Sequence, residues 1–202
     1  FSYDQEGGRL MRERWGVDQG QALLGLSGRL DPMKDHANFL KAARIIRAAR
    51  SDARFVCIGG GDPSYLAGLE KQAESLGLSE AVVWAGEISD MPAAYSALDI
   101  AVSASSGESF SNVVAEAMAC QRPVAVTEVG DSARIVGPVG KVAPAGDAAA
   151  LAGACQELLS LNETERQDIG AALKQRVEQK YSVEAMLTAS EEYLTNLLLT
   201  ER

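Results

Sequence analysis

The chain has 202 residues, 47% of them hydrophobic and 23% charged, and a formal net charge of −9 at pH 7. That length and apolar fraction suit one domain with a sizeable core and exclude a disordered chain. A pI near 4.7 sets the chain against nucleic acid and anionic membranes as partners, so any bound phosphate must be met by local geometry against the overall field.

Short apolar, β-rich runs alternate with helical patterns from residue 22 to about residue 160. Residues 1–20 read as a linker and N-terminal helix, with RLMRERWGV a short charged helix, leading into one domain over residues 21–202. A strand is predicted at 22–26, a helix at 38–50, a strand at 54–59 and a helix at 65–77 ending at a glycine cap. Next come a strand at 81–86, a short helix at 92–98, a strand at 99–105, a helix at 111–120 and a strand at 122–128. Strands that are apolar along their whole length suit a parallel sheet covered on both faces. Their alternation with helices predicts a doubly wound α/β domain. From Asp147 the pattern is wholly helical, in three segments. The last carries an apolar stripe of Met186, Leu187, Tyr193, Leu194, Leu197 and Leu198. Part of that stripe is expected to pack on the α/β body, leaving the rest for a partner domain.

The three cysteines, Cys57, Cys120 and Cys155, are scattered and odd in number, and no Cys/His cluster accompanies them. A disulfide scaffold and a metal site are both disfavoured, and a reduced, cytoplasmic compartment is the expectation. No apolar run approaches the roughly 20 residues that span a bilayer, and the first residues lack the apolar core of a signal peptide. The sequence opens on Phe1 rather than Met, which reads as a piece of a longer protein.

Three segments carry candidate chemistry. GRLDPMK, residues 28–34, lies just past the first strand, on the edge where open α/β sheets bind ligands. Arg29 and Lys34 there are either two solvated surface charges or a pair aimed at one diphosphate by the turn through Asp31 and Pro32. GESFSNVVAE, residues 107–116, follows another strand, and its helix directs free N–H groups and a positive dipole end to the same edge. Glu108 and Glu116 could both accept hydrogen bonds from sugar hydroxyls. On spacing alone, Glu108 reads as a dipole partner and Glu116 as a solvated helix residue. GGGDP, residues 59–63, lets a turn pass close to a ligand or another loop. No G-x-G-x-x-G, P-loop or D-x-D pattern is present, which disfavours dehydrogenase, P-loop and metal–diphosphate chemistry. His36, Cys120 and Trp84 are assigned no chemistry.

In order along nearly the whole chain, these segments resemble the C-terminal domain of retaining glycosyltransferases of family 4, the glycosyl transferases group 1 domain. The resemblance rests on GRL-x-x-x-KDH with NFL-x-AA, FVCIGGGD, VVWAG, AYSALDIAVSAS, ESFSNVVAEAMA, and RPVAVTEVGDSARIVG followed by GKVAPAGDAAALA. It implies the donor half of a two-domain GT-B fold, with Rossmann-like topology and extra C-terminal helices from about residue 147. By the resemblance, Arg29 and Lys34 bind the diphosphate of a nucleotide sugar and stabilise it as it leaves, Glu108 contacts the transferred sugar, and Glu116 holds the ribose hydroxyls. Backbone N–H groups of Phe110, Ser111, Asn112 and Val113 would hold sugar and phosphate oxygens, and the backbone of Gly86, Glu87 and Ile88 would lie near the base. Two departures stand out: Ser111 and Gln121 each occupy a place where the family often has glycine. The implied enzyme is cytoplasmic, acts in polysaccharide biosynthesis, and uses neither metal nor cofactor. An N-terminal acceptor domain is expected outside this sequence, and any peripheral membrane contact would belong to it. The isolated half is expected to bind donor but transfer little. The rival readings are a related GT-B enzyme, such as a nucleotide-sugar epimerase or a glycogen-synthase-like protein, and a non-catalytic binding or scaffold module.

Overall fold

A computed structural model describes residues 1–200, with side chains through Asn196. Strand β1, Leu23–Ser27, is buried at all five positions, so it needs cover on both faces. It receives that cover at the centre of one six-stranded parallel sheet of order β3-β2-β1-β4-β5-β6. The other strands are β2 (Arg54–Ile58), β3 (Val82–Gly86), β4 (Ile100–Ser103), β5 (Val124–Thr127) and β6 (Lys141–Ala143). The chain moves outward from β1 to β3, then returns to β1's other side at β4, with Leu24 beside Ile100 and Leu26 beside Val102. Loops leaving β1 and β4 therefore diverge, opening a crevice at the carboxyl ends of the strands.

The helices are α1 (Gln5–Arg14), α2 (His36–Ala49), α3 (Pro63–Ser75), α4 (Met91–Ser96), α5 (Asn112–Ala119), α6 (Ser132–Val136), α7 (Ala148–Ser160), α8 (Glu163–Tyr181) and α9 (Val183–Thr200). Alternation along the strands sorts the core into two layers. Leu24, Leu26, Phe55 and Cys57 pack under α2, α3 and α7 with Phe39, Leu40, Leu69 and Leu158. Leu23, Val56 and Ile58 pack under α1, α4, α5 and α8 with Met11, Tyr95, Met118 and Leu173. Part of the acidity sits at helix starts, where Asp35, Asp62, Asp90 and Asp147 accept hydrogen bonds from first-turn N–H groups.

The front helix begins earlier than predicted because Asp4 caps it, accepting from Gly7 N at 2.9 Å. Its Arg12 is buried and donates to Ala97 O at 2.7 Å and Asp18 O at 3.1 Å, fastening α1 to the amino edge of the sheet. The structure adds β6 and α6 to the predicted elements. Both are too short, at 3 and 5 residues, for periodicity to mark them. Of the apolar stripe of α9, the described side chains belong to the part left uncovered. Met186, Leu187, Tyr193 and Leu194 are 53–65% exposed, because α8 occupies the place against α5 and α9 meets α8 instead of the sheet layers. Leu197 and Leu198 lie outside the described side chains.

The loop after β2 crosses the loop after β1 at Gly59, whose φ is +138° and whose added Cβ would stand 2.1 Å from Gly28 O. Gly59→Ala should therefore cost roughly 2–4 kcal/mol in urea unfolding. Gly68→Ala, on an exposed stretch of α3 with open space around it, should be neutral or stabilising by up to about 1 kcal/mol.

Candidate functional site

The loop from β1 turns twice on aspartates. Asp31 accepts from Met33 N at 2.8 Å, starting a 3₁₀ turn over Pro32–Lys34. Asp35 then adopts a left-handed backbone (φ +47°) and caps α2 by accepting from Asn38 N at 3.0 Å. Between these caps, the Lys34 stem lies back against Gly28, where an added Cβ would stand 3.2 Å from its Cδ and Cε. Lys34 Nζ meets Glu108 Oε1 from the loop after β4, and the same oxygen accepts from Ser105 Oγ at 2.9 Å. Glu108 Oε2 has no partner among the described residues. The side chains of Lys34 and Glu108 are only 21% and 11% exposed.

Backbone contacts lock these loops together. Ser106 N donates to Met33 O at 2.8 Å, Thr127 Oγ1 to Ser105 O at 2.6 Å, and Asp131 N to Ser109 O at 3.0 Å. On the other side Gly28 N donates to Ile58 O at 2.9 Å, Leu30 N to Gly60 O at 2.8 Å and Gly59 N to Gly86 O at 2.8 Å. Gly86 and Glu87 form an exposed lip, Ile88 is partly buried, and Glu87 lies over Gly60.

The sequence places Arg29 and Lys34 on one loop, but the structure holds only Lys34 inward. Arg29 is 84% exposed and 3.9 Å from Asp31, since it precedes the turn and has no stem contact to pack on.

Helix α5 opens without a side-chain cap, although Ser111 occupies the capping position. Ser111 is itself buried and its Oγ has no partner, so its hydroxyl does not stand in the open edge. Among the described residues, no acceptor meets the backbone N–H groups of Phe110, Ser111, Asn112 and Val113. Four donors at the positive end of a helix form a place for an anion. The Phe110 ring braces this loop against Tyr181 of α8 at 5.5 Å. Gln121, the other position often glycine in the family, takes a left-handed backbone at φ +58°.

Glu116 is not the solvated helix residue that its spacing suggests. It is half-buried on the second turn of α5, and its Oε2 accepts from Tyr95 Oη at 2.9 Å. Burial pushes its carboxyl above the ordinary range, while the Tyr95 hydrogen bond acts the other way. Sequence reasoning missed Tyr95, because an aromatic residue in an apolar helix carries no mark of a polar partner.

The family model described as Glycosyl transferases group 1 matches residues 21–161. The chain belongs to this family. It is 32% identical over 145 residues to the phosphatidyl-myo-inositol mannosyltransferase of Mycobacterium leprae, covering 69% of this chain and 37% of that protein. It is 35% identical over 124 residues to a D-inositol 3-phosphate glycosyltransferase of Mycobacterium sp. (strain KMS), covering 59% and 27%. The chain thus spans about a third of the length of the curated relatives it matches. Its fold matches Anabaena Alr3699/HepE, solved with UDP and glucose, with a TM-score of 0.86 at 21% identity over 96% of this chain and 53% of that one. It also matches the C-terminal domain of a glycosyl transferase group 1 family protein (LpcC) from Francisella tularensis, with a TM-score of 0.75 at 24% identity over 91% and 96%. The fold is the Rossmann-like half of a GT-B protein.

In this group 1 domain, no three His, Cys, Asp or Glu side chains among the described residues gather as a metal site. No described helix is long and apolar enough to cross a membrane. Burial pushes the Cys120 thiol up to about 11 and Cys155 to about 12, and Cys57 is raised as well, so all three stay protonated at neutral pH. His36, at the start of α2, is fully buried with neither ring nitrogen partnered. Burial and then nearby Lys34 lower its pKa to about 4, so it is neutral in the folded chain.

Two outcomes follow from this geometry. Lys34→Met leaves the Glu108 carboxylate mostly buried and unpaired, and should cost about 2–4 kcal/mol in urea unfolding. Adding Glu108→Gln should recover most of that loss. For His36 the unfolded chain binds the extra proton between pH 6.5 and about 4, so stability falls as pH drops through that window. The loss should approach about 3 kcal/mol at the acid end. Relative to its own value at pH 7, His36→Gln should lose less over the same window, which unfolding at stepped pH would measure.

Proposed function

We propose that this chain is the donor-binding half of a retaining glycosyltransferase that moves a sugar from a nucleoside diphosphate to an acceptor held by residues outside it. The observation that carries this reading is the uncapped start of α5. Four backbone donors without acceptors stand beside the Lys34–Glu108 pair at the sheet's switch point. Neighbours in structure space solved with UDP and with UDP-glucose support it, as do relatives named as glycosyltransferases.

Under this reading the diphosphate lies against the N–H groups of residues 110–113, with Lys34 and the exposed Arg29 meeting its charge. The bond between the sugar's anomeric carbon and the phosphate oxygen breaks, and the diphosphate leaves with the electron pair. An acceptor hydroxyl oxygen supplies the pair for the new bond to that carbon, while its proton passes to a phosphate oxygen of the leaving group. Fixed donors aimed at that developing charge lower the barrier without needing to reorganise. No metal is required, because two cations and a helix end supply the positive field. Glu108 Oε2, unpartnered, accepts from a hydroxyl of the transferred sugar. Glu116 accepts from the ribose, and the exposed lip at Gly86 and Glu87, with the partly buried Ile88 behind it, faces the base.

Titration calorimetry with UDP, GDP and ADP tests the reading. At least one should bind, and Arg29→Ala or Lys34→Ala should weaken it tenfold or more, about 1.4 kcal/mol. Unchanged affinity in both variants, or no binding of any of the three, would favour the scaffold reading. Sugar transfer by the chain alone should be negligible.

A further inference from the structure

We propose that Tyr95 is a positioning residue: it fixes the Glu116 carboxylate so that one oxygen stays free for the ribose, and so sets how strongly the ribose is read. The inference rests on the role given to Glu116 above and extends it to a residue on a different helix.

Tyr95 is a fully buried side chain on α4, 1% exposed, and its Oη donates to Glu116 Oε2 across the gap to α5 at 2.9 Å. Together with Gly25, Ser27, Ser103, Val113 and Val114 it lines a small internal cavity beneath the start of α5. The phenol is therefore held by packing, next to the turn whose N–H groups face the ligand. Glu116 has no such restraint of its own. Its helix neighbours Val114, Ala117 and Met118 are buried and apolar, and among the described residues no other hydrogen bond holds its carboxylate. A glutamate side chain left to itself must give up rotamer freedom when a ligand arrives, and a half-buried carboxylate is poorly solvated while it waits. One charge-assisted hydrogen bond from a rigid donor reduces both costs. A phenol offers a single proton, and that proton is committed to Oε2. Oε1 is left to accept from a ligand hydroxyl. A change at Tyr95 should thus be felt only by ligands that carry the ribose hydroxyls.

Calorimetry with UDP and 2′,3′-dideoxy-UDP separates this from a merely structural role; if GDP or ADP is the nucleotide bound, the same pair with that base replaces them. The wild-type chain should prefer the ribose nucleotide. Tyr95→Phe keeps the ring and its packing, and should lose about fivefold or more of that preference, with affinity for the dideoxy nucleotide within about twofold of wild type. Glu116→Ala should abolish the preference, and adding Tyr95→Phe to it should take nothing further. Equal losses for both nucleotides in Tyr95→Phe, an intact preference, or an additive double variant would overturn the role of Tyr95 while leaving that of Glu116 standing. If Glu116→Ala keeps the preference, or no nucleotide binds, the reading of Glu116 falls and this inference falls with it.

Discussion

The ion pair between Lys34 and Glu108 joins the two loops that the sheet's topology drives apart. Chain order sends the loop after β1 toward α2 and the loop after β4 toward α5, on opposite faces of the sheet. Such a crevice has no backbone ladder across it, so something else must set its width. Here that is one charge pair in a mostly buried setting, reinforced by Ser105 and by the Ser106–Met33 backbone bond. A pair this deep is worth little as net stability against an apolar substitute, but losing one partner strands the other. Its value lies in registering the two loops, and the requirement explains why the turn before α2 is so heavily specified. Asp31, the left-handed Asp35 and the Gly28 surface all serve to deliver one ammonium group to one place.

The flanking loops obey a different constraint. Those after β2 and β3 lie on the half of the sheet where successive connections run side by side, so they fasten by main-chain bonds from Gly28 to Ile58, Leu30 to Gly60 and Gly59 to Gly86. Main chain can approach main chain this closely only where side chains are missing, which is why glycines gather at residues 59–61. The edge is therefore held on one side by backbone bonds and on the other by a charge pair with backbone bonds beside it.

Much of this was legible in the sequence because the signals were local. Fully apolar strands, aspartates and glycines at turns, and the alternation of periods gave the doubly wound sheet, and ordered motifs gave the family. What stayed hidden depended on partners distant in sequence. Lys34 and Glu108 are 74 positions apart and Tyr95 and Glu116 are 21 apart on different helices, so spacing alone made Glu108 look like a dipole partner and Glu116 like a solvated helix residue. Arg29 and Lys34 looked equivalent because composition cannot tell which side chain finds a surface to lie on. β6 was missed for another reason: an edge strand of three residues is defined by its pairing with β5, not by its own pattern.

A net charge of −9 and an anion site are compatible once the resting state of the site is considered. An unpaired lysine at this depth would face a desolvation cost, and in an acidic protein it would draw whatever carboxylate could reach it. Glu108 fills that role in advance, with geometry the fold has fixed. On the reading proposed above, an arriving diphosphate meets Lys34 while the N–H groups of α5 supply further donors, so the ligand does not rely on the lysine alone. Glu108 then becomes free to accept from a sugar hydroxyl beside it. One carboxylate would serve the empty site as counter-ion and the filled site as acceptor. That dual use requires the pair to be buried enough to matter and open enough to exchange, which the partial exposure of both side chains allows.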